Sequence, residues 1–183
     1  MVIATLAGAL LLLGLFAPAA VFREPSGLDT GNGAIRGSAL RVVLVWCCAW
    51  PIALVQRTTG AGRLRALWAL GAVLLLVHIA IAFHAGHGWS HTAAWEHTRA
   101  VGGYGDGLFV NYLFALVWVA DVVWAWVAFG AYVARPAWVT WAVHGLFAFI
   151  VFNAAVVFGG WLSRAVFCVG FGAGVWLASS YRR

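Results

Sequence analysis

The sequence predicts an all-α, polytopic integral membrane protein with about six transmembrane helices in one bundle, and three observations carry that prediction. Of 183 residues, 64% are apolar and only 9% charged. A soluble domain averages roughly 45–50% apolar and about 25% charged, so this chain has too little polar surface to cover a water-soluble globule. The apolar residues fall in runs near the ~20 needed to cross a bilayer. The segments between the runs are too short to fold separately, so residues 1–183 read as a single transmembrane domain. These features exclude a soluble enzyme, a disordered tail and a nucleic-acid-binding module. The net charge of +6 and pI near 10.1 do not indicate a nucleic-acid partner, because the arginines lie between apolar spans.

The first span is residues 2–22, which lacks the positive start of a secretory leader although A-P-A-A around Pro18 resembles a cleavage site. A polar, Gly-rich linker, residues 23–38, leads to a second span at 39–55 that carries Pro51. A turn with Arg57, Arg63 and Arg65 precedes the third span, 66–83, which runs into a histidine-rich loop, 84–107. The fourth span, 108–133, is closed by Arg135 and Pro136. The fifth is 137–158, and after Gly159 and Gly160 the sixth is 161–179. The sixth contains Gly170-x-x-x-Gly174, a spacing that lets helices pack closely within one chain or between chains.

Arginine asymmetry sets an orientation. With six spans and both termini cytoplasmic, that side collects Arg57, Arg63, Arg65, Arg135, Arg182 and Arg183. The opposite side collects Arg23, Arg36, Arg41, Arg99 and Arg164, and also the histidine loop, which is then extracytoplasmic. The expected location is a bacterial inner membrane, with the lipid bilayer as the first partner.

Lysine is absent, which removes Schiff-base chemistry and the phosphate-binding loop from consideration. Cys47, Cys48 and Cys168 form no C-x-x-C and read as small apolar residues. Histidine is the informative residue: His78, His84, His87, His91 and His97 fall within twenty positions, and only His144 lies elsewhere. Imidazole is the commonest side-chain ligand of transition metals. On a continuing helix His84, His87 and His91 would share a ~60° arc. These three are the expected metal ligands, with His97 or His78 as a fourth and Glu96 nearby. Copper, iron and zinc all suit imidazole ligands.

Depth, at ~1.5 Å per residue, selects the groups that could orient such ligands. Asn111, Tyr112 and Asn153 fall in the layer beneath the histidines. Asp121 is the only acid inside a predicted span, near mid-bilayer, where an unpaired carboxylate costs at least ~2.5–3.5 kcal/mol. His144 is its expected partner, ~7 Å away along the membrane normal. A haem between His78 and His144 is disfavoured, since they lie ~8 Å and ~21 Å from the outer face.

The expected function is a membrane metalloprotein with a histidine-rich site at the extracytoplasmic boundary, of the copper- or iron-dependent oxidoreductase kind if it is an enzyme. The alternatives are an accessory subunit of a larger membrane complex, ligating haem or pigment through a membrane histidine, and a metal-ion carrier. Small loops and 12 tryptophans suit a homo-oligomer or a complex subunit.

Overall fold

The computed structural model describes residues 30–56 and 62–180, all in helices and short connections with no strand among them. The predicted span at 2–22 and Arg23, Arg57, Arg182 and Arg183 lie outside the described residues. Among the described residues, seven α-helices follow in order: α1 (Thr30–Gln56), α2 (Gly62–Ile81), α3 (His91–Gly102), α4 (Gly107–Val127), α5 (Phe129–Val133), α6 (Ala137–Phe152) and α7 (Trp161–Ser180). π-helical turns prolong α2 over Ala82–Gly86 and α6 over Asn153–Val157.

Among the described residues, four stretches are long and apolar enough to cross a membrane: Gly33–Ala53, Leu64–Gly86, Gly107–Val127 and Ala137–Val157. They are compatible with a multi-pass integral membrane protein. The sixth predicted span falls on α7, whose stretch Trp161–Ala173 is apolar.

Three departures from the sequence reading matter for function. The Gly-rich stretch before residue 39 is helical from Thr30, although each glycine weakens a helix by about 1 kcal/mol relative to alanine. Tertiary contact offsets that cost: Ser38 is buried, donates its hydroxyl proton to the Ile35 carbonyl at 2.9 Å and lies 2.9 Å from His78 Nδ1. The predicted histidine loop contains the helix α3. Ser90 Oγ caps its start by accepting the Ala93 amide at 3.2 Å, and Gly103 ends it in the left-handed region at φ 80°. The predicted fourth span is broken at Ala128 (φ −133°, ψ 59°), so that α5 folds back toward α4.

Aromatic side chains bind the helices together. Trp46 of α1, Trp68 of α2, Trp118 of α4 and Phe147 of α6 are all fully buried. Trp68 and Trp118 lie 5.0 Å apart by ring centroid, and Phe147 is 5.5 Å from Trp68 and 5.3 Å from Trp118. Because lipid tails are as apolar as leucine, close packing must supply the attraction that water exclusion supplies in soluble proteins. Gly71 permits it: a Cβ there would sit 2.5 Å from Trp118 Cζ2. Gly170 of the predicted packing motif serves α7 against α1, where a Cβ would stand 3.0 Å from Cys47 Cβ.

Candidate functional site

Two polar clusters occupy opposite ends of α2 and α4. The first is built around the end of α2. After the π-helical turn, Gly88 and Trp89 adopt φ 55° and 62°, a reversal that glycine tolerates and tryptophan holds at a cost. The Trp89 amide donates to the Phe83 carbonyl and the Ser90 amide to the His87 carbonyl, both at 2.9 Å. The helix therefore does not continue through the histidines, and His84, His87 and His91 do not share a face.

Each histidine has a distinct environment. His84 Nδ1 accepts the Trp89 indole proton at 3.3 Å, which leaves the proton of the neutral ring on Nε2. His91 Nδ1 lies 2.9 Å from the Tyr112 hydroxyl. His87 and His97 are brought together across the reversal, with ring centroids 5.3 Å apart and planes at 55°. Phe83 packs beneath, 5.8 Å from His87 and 5.2 Å from His91. Burial, and secondarily the adjacent His97, hold His87 below the ordinary imidazole pKa, so its neutral form is favoured.

The remaining predicted residues of this site stand apart. Glu96 and Asn111 are exposed. Asn153 donates to the Phe149 carbonyl of its own helix at 2.8 Å, which satisfies it locally. His78 is eight residues before Gly86, ~12 Å inside the end of its span. Because the one proton of Ser38 goes to Ile35, Ser38 must accept from His78 Nδ1–H, and Nε2 of His78 carries the lone pair. Among the described residues, no group of three or more His, Cys, Asp or Glu is placed to hold a metal ion.

The second cluster surrounds Asp121, which is buried at 4% exposure. Its carboxylate accepts the Trp68 indole proton at 2.9 Å, the Tyr132 hydroxyl at 3.1 Å and an Arg135 guanidinium proton at 2.5 Å. Arg135 also donates from Nε to Thr140 Oγ1 at 2.9 Å and stacks over Tyr132 at 4.1 Å. His144, the expected partner, is not hydrogen-bonded to Asp121. It is buried among Trp50 and Trp68, at 6.3 and 6.2 Å between ring centroids, and its Nδ1 has no hydrogen-bond partner among the described residues. Because α4 ends at Val127, Asp121 is only ~9 Å from that end, within reach of Arg135 after the chain reverses. Three donors and a matched charge make this cluster an interhelical lock joining α2, α4 and the connector to α6.

Sequence reasoning missed Trp68, Tyr132 and Arg135. Trp68 reads as an interfacial tryptophan, and Arg135 as the cap of a continuous fourth span. The signal available was an arginine fourteen residues after a membrane-buried acid, with Gly130 between them. Comparison with known proteins finds no matching family, no matching curated protein and no matching solved structure.

Proposed function

We propose that the chain is a membrane metalloprotein in which His87 and His97 bind a transition metal ion at the extracytoplasmic boundary of a bacterial inner membrane. The separation of the two rings carries this reading. At a metal–nitrogen distance of ~2.0–2.1 Å an imidazole centre stands ~3.2 Å from the ion, so two rings sharing one tetrahedral ion have centres ~5.2 Å apart. The observed value is 5.3 Å. The depressed pKa of His87 supports the reading too, since the ligating form of imidazole is the neutral one. Copper, iron and zinc are each compatible with two imidazoles, and copper or iron would give the site redox chemistry.

A second reading, a complex subunit that ligates haem through a membrane histidine, is favoured by His78, whose Nδ1–H is held by Ser38 and whose Nε2 carries the lone pair. Elemental analysis with an absorption spectrum of detergent-purified protein tests both. Bound copper, iron or zinc without a Soret band is the expected result; a Soret band lost in His78→Ala would favour the second reading instead.

A further inference from the structure

We propose that the metal site is completed by a second copy of this chain, the same two histidines from each copy surrounding one ion on a two-fold axis. This inference rests on the proposed metal-binding role of His87 and His97. One chain supplies only part of a coordination shell. The His87 and His97 rings stand side by side, whereas the His84 and His91 rings are engaged by Trp89 and Tyr112. No set of three His, Cys, Asp or Glu is assembled among the described residues. Closed zinc-type sites have four ligands in a tetrahedron. Each two-fold axis of a tetrahedron exchanges its four ligands in two pairs, so rotating His87 and His97, held at a near-tetrahedral angle, about an axis that does not bisect them generates the other two ligands from the second copy. The ring separation in this chain, 5.3 Å between centroids, is the one such an angle would give. Two copies therefore build a four-imidazole site with no further residue, in the isologous arrangement commonest among homo-oligomers.

The surroundings of the pair permit the approach. His97 is exposed on the outer face of α3, whereas Ala94 of the same helix is buried against the neighbouring elements. Beside His97 along that face, one turn before and after, stand Ala93, Ala100 and Val101, which are short and uncharged; Val101 is 58% exposed. Arg99, the nearby cation, is drawn aside over the Trp95 ring at 5.5 Å.

The test uses the full chain in detergent, stripped with a chelator and titrated with Zn²⁺ as the probe, with mass by light scattering and zinc per chain measured on the same sample. The inference expects monomer without zinc, dimer with zinc, and one zinc per two chains at saturation. It also expects His97→Ala, an exposed substitution that leaves helicity unchanged by circular dichroism, to remain monomeric at every zinc concentration. One zinc per chain on a monomer would overturn the inference and leave the His87–His97 site standing. A dimer indifferent to both chelator and His97→Ala would also overturn it. Failure to bind zinc, copper or iron at all would overturn both readings.

Discussion

Arg135 turns back across the break at Ala128 and places a guanidinium nitrogen 2.5 Å from the Asp121 carboxylate, with side-chain exposures of 6% and 3%. The pair closes the end of the structure remote from the histidines. It explains how an acid is tolerated within an apolar helix: the charge is matched, and two further protons, from Trp68 and Tyr132, reach the same carboxylate.

Removing one partner strands the other in an apolar setting, which typically costs ~3–5 kcal/mol, whereas replacing both with apolar residues costs far less. Asp121→Ala and Arg135→Ala are therefore each expected to lower thermal stability in detergent strongly. The double variant Asp121→Leu/Arg135→Met is expected to be more stable than either. Additive losses would show that the two side chains do not act as a pair.

Gly71 lets the Trp118 ring lie directly on α2. Gly71→Ala must displace that ring, which packs against both Trp68 and Phe147, and overpacking of this kind costs ~1–3 kcal/mol. Thermal unfolding is the measurement; an unchanged midpoint would mean that the indole repacks without loss.

Ser90 fixes the start of the helix that carries His97. Ser90→Ala should cost about 1 kcal/mol of local stability, read as faster hydrogen exchange at the α3 amides. The same variant should weaken metal binding, because a frayed α3 no longer holds His97 against His87. Slower or equal exchange in α3 would contradict this role for the cap.

The pKa of His87 is lowered by burial first and by His97 second. A base with a depressed folded pKa binds fewer protons folded than unfolded, so the associated stability is present above the ordinary value near 6.5 and is lost as pH falls through the folded pKa. NMR titration of the metal-free protein should place His87 below that value. His97→Ala should raise it part of the way back, leaving the share due to burial. No movement in that variant would remove the electrostatic link between the two rings.

What the sequence revealed was set by how local each signal is. Apolar runs of sufficient length mark α1, α2, α4 and α6 whatever their neighbours, because the bilayer sets the length. Asp121 also stands out from sequence alone, since an acid in an apolar run needs a partner. The identity of the partner was hidden, because the break that brings Arg135 back occurs at Ala128, a residue type that gives no signal of a helix end. The histidines were legible as a density but not as a geometry. Their helical register fails at Gly88 and Trp89, where the chain takes positive φ, and only the return along α3 chooses His97 as the neighbour of His87. Asn153, expected in the layer beneath the histidines, donates to a carbonyl of its own helix.

The proposed metal site uses His87 and His97 rather than the helical set expected from spacing. Its most direct test is to compare zinc affinity of the double variants His87→Ala/His97→Ala and His84→Ala/His91→Ala, each checked for retained helicity. At least a tenfold loss is expected in the first and an affinity close to that of the parent in the second. Equal losses in both, or retention in the first, would contradict it.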